Sequence, residues 1–115
     1  YPRYFEMINA TIEDWFRSLE YGFDQMILKD GFAIPTATIQ VDFKAPSRLD
    51  DLVELELDPV RLGRSSIGLN ITISADGQLR ALVQQTLVFI RMDGNKPVRI
   101  PDPLRGRIER SMEAS

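Results

Sequence analysis

The sequence predicts an α+β domain in which an antiparallel sheet wraps around one long helix. Three observations lead there. Apolar residues recur at spacings of three and four over the first twenty positions. From Thr36 onward the period drops to two. The alternating segments then follow one another over hairpin-length links, which implies antiparallel pairing. A helix rich in aromatics and a sheet with one apolar face cover each other most economically when the sheet curls around the helix.

The helix is expected from about Pro2 to about Leu19. Tyr1, Tyr4, Phe5, Ile8, Ile12, Trp15, Phe16 and Leu19 form its apolar side, and Arg3, Glu6, Glu13, Arg17 and Glu20 its polar side. Pro2 suits the first helical position, where its missing N–H costs nothing. Gly22 is the expected stop. Glu13 and Arg17 stand four apart in the favourable order. So many aromatic residues on one helix imply deep burial. Met26-Ile27-Leu28 is expected to make a short helical turn.

The first strand alternates Ala37, Ile39, Val41, Phe43 and Ala45 with polar residues, and ends at Pro46-Ser47. The second carries Val53, Leu55 and Leu57 and is followed by a loop, Arg61-Leu62-Gly63-Arg64. Ile67, Leu69, Ile71 and Ile73 define the third. Asp76-Gly77 is a hairpin signal. The fourth runs from about Leu79 to Arg91. Its end, Leu87 to Ile90, is apolar on both sides, which places it centrally in a sheet or at a subunit contact. Pro101 and Pro103 introduce a short final helix.

Composition narrows the chemistry. The chain has 115 residues, 43% hydrophobic and 27% charged, with a formal net charge of -3. One domain over residues 1–115 is expected. The acidic balance argues against a nucleic-acid partner, which calls for a basic footprint. No apolar run is long enough to span a bilayer, and no secretory pattern opens the chain. A cytoplasmic protein is the simplest reading. Histidine and cysteine are both absent, which removes Ser-His-Asp and Cys-His hydrolases and the usual zinc sites. Acid–base chemistry must then use carboxylates, lysine, tyrosine or water, and no metal is expected. Tyr1-Pro2 at a helix start is an unusual place for a natural chain to begin, so further residues are expected upstream.

Several motifs occur in an order that resembles one family. They are Tyr1-Pro2-Arg3-Tyr4-Phe5-Glu6 at the helix start, Phe43 to Pro46 followed by Asp50-Asp51, the Arg61-Leu62-Gly63-Arg64-Ser65-Ser66 segment, and Pro103-Leu104-Arg105 near the end. The set resembles the hot-dog fold acyl-CoA thioesterases of the 4-hydroxybenzoyl-CoA thioesterase-like kind, over nearly the whole chain. The resemblance implies a hot-dog fold whose first strand and catalytic Asp precede Tyr1. It implies hydrolysis of acyl-CoA to a free acid and CoA, with coenzyme A as part of the substrate and no separate cofactor. It also implies a homodimer or homotetramer with sites between subunits.

Carried over by position, the backbone N–H of Tyr1 becomes the oxyanion donor, since unpaired N–H groups and the dipole at a helix start favour negative charge. Asn9 stands where the 4-hydroxybenzoyl-CoA enzyme has an acid facing the ring hydroxyl, a departure that puts that particular substrate in doubt. Arg61, Arg64, Ser65 and Ser66 fall beside the CoA phosphates, which arginine binds in bidentate fashion. Arg91, Arg105, Arg107 and Arg110 are secondary candidates for the same task. Pro35 and Thr36 match the region lining the acyl pocket from the neighbouring subunit. Glu6 and Glu13, the alternative helix carboxylates, read better as a solvated face. Two rival functions remain: a non-catalytic acyl-CoA or acyl-carrier-protein binding module, and a hot-dog dehydratase or hydratase, which would need a histidine from upstream.

Overall fold

The computed structural model of the chain describes residues 4–46 and 52–113. Helix α1 spans Tyr4–Ser18 and buries Tyr4, Ile8, Ile12 and Phe16, a stripe at steps of four. The flank is less buried than the aromatic content implies. Phe5 is 56% exposed, because it stands a quarter turn off the stripe. Arg17 reaches Glu13 at 3.3 Å and Asp14 at 2.7 Å, all on the water side, where such pairs contribute little.

α1 ends within a residue of the expected Leu19, but Gly22 is not its stop. It closes with a Tyr21 N–H bond to the Phe16 carbonyl and a Glu20 N–H bond to the Arg17 carbonyl, the paired bonds of a Schellman ending. Glu20 takes the left-handed position, at φ 61. A side chain there costs roughly 1–2 kcal/mol. Glu20→Gly is therefore expected to raise stability by about 1 kcal/mol, a few degrees in a thermal melt. The Arg107 pairing that would be lost is long, 4.0 Å, to an exposed carboxylate. A lower melting temperature would contradict this account of the helix end.

Asp24–Lys29 forms a single π-helical turn that buries Met26, in place of the short turn expected around Met26-Ile27-Leu28. The Tyr21 hydroxyl donates to the Asp30 carboxylate at 2.7 Å. Burial, then the Asp30 contact, pushes the phenol well above its usual range.

Seven strands follow among the described residues: β1 (Phe32–Ala33), β2 (Thr36–Phe43), β3 (Glu54–Leu62), β4 (Ser66–Ala75), β5 (Gln78–Val88), β6 (Ile90–Arg91) and β7 (Lys96–Pro97). The main sheet has the order β2-β5-β4-β3, antiparallel throughout. β3, β4 and β5 are joined in sequence as expected, and Asp76 and Gly77, both at positive φ, make the β4–β5 turn. β2 and β3 are consecutive yet lie at opposite edges. β5 takes the centre, in keeping with its apolar residues on both sides. The fourth strand is shorter than predicted. It ends at Val88, and Ile90–Arg91 joins β1 and β7 in a small second sheet. The predicted loop is shorter too, since Arg61 and Leu62 belong to β3.

The inner face of the sheet carries Ile67, Leu69, Ile71, Ile73, Ala81, Val83 and Leu87, all buried in one cluster with the α1 stripe. Burying each large aliphatic side chain there is worth about 1.5–3 kcal/mol. Helix α2 (Asp102–Glu113) adds Leu104 and Ile108. It is tied to the end of α1 by the Arg107 guanidinium, which donates to the Leu19 carbonyl at 3.1 Å.

Candidate functional site

Two groups of predicted site residues meet at one end of β5. The Pro35 carbonyl accepts from the Val88 N–H at 3.0 Å, and the Ser65 carbonyl from the Phe89 N–H at 2.7 Å. Thr36 and Ile67 both pair with Leu87, and Ser66 pairs with Val88. Pro35-Thr36 and Ser65-Ser66 thus flank Leu87, Val88 and Phe89, at the end of β5 and one residue beyond it. Two strand spacings, about 10 Å, separate them.

Arg64, Ser65 and Ser66 sit in and just after a tight turn between β3 and β4. The Gly63 N–H closes it onto the Ser66 carbonyl at 2.8 Å. A Cβ on Gly63 would lie 2.6 Å from the Ser66 hydroxyl, so a larger residue there would force that side chain to turn away. The Arg64 side chain is exposed. The Arg64 carbonyl accepts from the Ile100 N–H at 2.9 Å.

Arg61 is not part of this turn. It lies across the outer face of the sheet, where its guanidinium donates to the Thr86 hydroxyl at 3.1 Å. Gly68 beneath it leaves the room, with a hypothetical Cβ only 3.2 Å from that of Arg61. Together with Thr38, Gln40, Asn70 and Gln84 it lines an open polar groove of about 370 Å³. Strand alternation separates it from Arg64, something a loop reading of 61–64 could not anticipate.

Asn9 is exposed on α1, one turn beyond the exposed Phe5. The two form a stripe beside the buried face rather than within it. Tyr1, the expected oxyanion donor, lies outside the described residues, as do Asp50 and Asp51. The first described turn of α1 packs at the far end of β2, where the Tyr4 and Phe43 rings stand 5.8 Å apart. Phe43 and Thr36 are seven residues apart on β2, roughly 23 Å along an extended strand. One chain therefore keeps the helix start and the Arg64 turn well apart.

The secondary arginines divide. Arg91 stacks over Phe32, its guanidinium carbon 5.5 Å from the ring centroid. Arg107 holds the end of α1, and Arg105 holds the Gly63 and Arg64 carbonyls.

One polar residue passed unremarked in the sequence. Gln85 is buried on the inner face, its amide donating to the Thr36 hydroxyl at 2.8 Å. Its Oε1 has no partner among the described residues. The adjacent Gln84-Gln85 pair reads as surface, and only the strand register shows that Gln85 continues the Val83–Leu87 side. Every described Asp and Glu is exposed or half-exposed. Among the described residues no cluster of His, Cys, Asp or Glu could hold a metal ion. No helix there is long and apolar enough to cross a membrane.

Comparison with known proteins places this geometry in context. Residues 1–108 match the family model described as the thioesterase-like superfamily. The 1,4-dihydroxy-2-naphthoyl-CoA hydrolase of Thermosynechococcus vestitus is 28% identical over 97 residues, 84% of this chain and 66% of that protein. The 1,4-dihydroxy-2-naphthoyl-CoA hydrolase of Synechocystis sp. is 26% identical over 105 residues, 90% of this chain and 76% of that protein. The crystal structure of a thioesterase superfamily protein from Jannaschia sp. superimposes with a TM-score of 0.85 at 25% identity, covering 97% of this chain and 80% of the other. These matches bear out the hot-dog fold.

Proposed function

The chain belongs to the thioesterase-like superfamily, and from that premise we propose that it hydrolyses an acyl-CoA thioester, with an aromatic acyl group, at a site shared by two copies. The observation that carries this reading is the separation within one chain. The α1 start stands at the Phe43 end of β2 and the Arg64 turn at the Thr36 end. β2 is an edge strand. The Lys44 N–H donates to the Arg80 carbonyl at 2.8 Å, so by alternation the backbone groups of Val41 and Phe43 face away from β5. That edge also carries Ile39, 40% exposed, and Phe43, 61% exposed, a combination that favours strand pairing. Antiparallel pairing of β2 with β2 about a two-fold axis brings the Thr36 end of one copy to the α1 start of the other. Pro35, Thr36 and the Arg64 turn of one subunit then serve the helix start of its neighbour.

In the shared site, the backbone N–H of Tyr1 receives the oxyanion that forms when the thioester carbonyl is attacked. The attacking group is a carboxylate, or water deprotonated by it, from outside the described residues. The C–S bond breaks and the CoA thiolate takes a proton that water supplies; where the carboxylate has attacked directly, water then hydrolyses the mixed anhydride, and in both routes the oxygen of that water ends on the released acid. Arg64, Ser65 and Ser66 hold the CoA phosphates. Phe5 offers an aromatic face to the acyl ring, and Asn9 a hydrogen bond to a ring substituent. The two hydrolases at 28% and 26% identity support an aromatic hydroxyacyl ester over an aliphatic one. No metal or redox cofactor takes part, and the cytoplasm is the fitting location.

The test is thiol release from a panel of benzoyl-, hydroxybenzoyl-, naphthoyl- and aliphatic-CoA esters by the full coding product. Release is expected, fastest with the hydroxylated aromatic esters. Arg64→Ala should raise KM about tenfold, the effect of losing one charge-assisted contact. Esters bound but not cleaved would replace this reading with a non-catalytic binding module. An unchanged KM in Arg64→Ala would remove the turn from the CoA site.

A further inference from the structure

We infer that Arg105, on α2, is a positioning residue that shapes the Gly63–Ser66 turn into a phosphate-binding surface; this rests on the acyl-CoA reading above. The Arg105 guanidinium donates to the Gly63 carbonyl and to the Arg64 carbonyl, both at 2.9 Å, across some forty residues of sequence. The Ile100 N–H reaches the same Arg64 carbonyl. Two successive carbonyls are thus turned toward α2 and held there. In a trans peptide the N–H points opposite to the carbonyl, and the described residues contain no cis bond. The N–H groups of Arg64 and Ser65 therefore point away from α2, and neither donates to a backbone carbonyl among the described residues.

Two outward N–H groups beside an exposed arginine side chain suit a phosphate. The Arg105 charge lies directly behind them. Its task differs from that of Arg64. Both of its bonds to the turn come from one guanidinium nitrogen, Nη2, so Arg105 acts through the backbone it holds. Leu104 and Ile108, buried on either side along α2, fix the helix from which it reaches.

The experiment compares two esters of one acyl group, the CoA ester and the N-acetylcysteamine ester, which lacks the phosphates. Arg105→Gln is expected to raise KM for the CoA ester about tenfold, with kcat within twofold. KM for the N-acetylcysteamine ester should stay within twofold. Placed in an Arg64→Ala background, Arg105→Gln should add less than a further twofold, because both changes disable the same surface. Arg105→Lys, which keeps the charge but not the forked geometry, should fall between the two. It carries the comparison if Arg105→Gln does not fold. Equal KM shifts on both esters, or full additivity with Arg64→Ala, would mean a general structural role and overturn the inference. A parent protein that cleaves neither ester overturns the thioesterase reading itself, while an active parent matched by Arg105→Gln overturns only the role of Arg105.

Discussion

Ile39→Glu is expected to yield a folded monomer with at least a hundredfold less thiol release than the parent. Ile39 lies on the inner side of β2, paired with Gln85 across to β5, and is half-exposed at the free edge. A two-fold contact repeats every substitution, so one change sets two carboxylates at the joint. Like charges there and the loss of two apolar contacts both oppose pairing. The β2–β5 hydrogen bonds do not depend on this side chain, so the circular dichroism spectrum should be retained. The loss of activity follows from the distance of roughly 23 Å along β2, since one chain cannot bring the Arg64 turn to its own α1 start. Sedimentation and thiol release at the same concentration make the measurement. A monomer with parental activity would refute the shared site. A dimer that persists with parental affinity would show that another surface joins the copies.

The second large effect concerns stability. Phe16 is fully buried, with the Trp15 ring 4.9 Å away and the Phe23 ring 5.8 Å away. Phe16→Ala leaves a cavity between α1, the π-helical turn and the sheet. It should cost about 3–5 kcal/mol, a large share of the 5–15 kcal/mol typical of a domain. Urea unfolding at fixed protein concentration should show the midpoint falling with little change in slope. Phe5→Ala is the contrast. It removes an equal side chain from the same helix, but one mostly in water, and should alter stability by less than about 0.5 kcal/mol. If Phe16→Ala costs less than about 1.5 kcal/mol, α1 does not pack as described.

Phe5 and Phe16 also mark the boundary between what could be read and what could not. Periodicity placed both on the apolar side of one helix. It could not say that the covered arc is narrow enough to omit Phe5. The same limit hid which residue stops the helix. Gly22 is the better left-handed residue by propensity, but Tyr21 is pulled into the core, so the chain must turn before it and Glu20 accepts the strain. In the segment 61–66, residue types alone suggested one basic loop. Pairing with β4 draws Arg61 and Leu62 into a strand, and the alternation of strand faces sends Arg61 to the outer groove while Arg64 stays at the turn.

The sequence by itself determined the helix, the four main strands, the Asp76-Gly77 turn and the lack of histidine and cysteine within residues 1–115. These are local properties, set by side-chain period, turn residues and composition, and neighbours in the chain suffice to express them. Its ordered motifs also pointed to the hot-dog fold. Only the tertiary structure decided that β5 separates β2 from β4, that Pro35-Thr36 and Ser65-Ser66 flank Leu87 to Phe89, and that Arg105 grips a turn some forty residues away. Those depend on which strand wins the centre of the sheet. That choice is made by burying the most apolar surface of the whole chain at once, and no short window of sequence contains it.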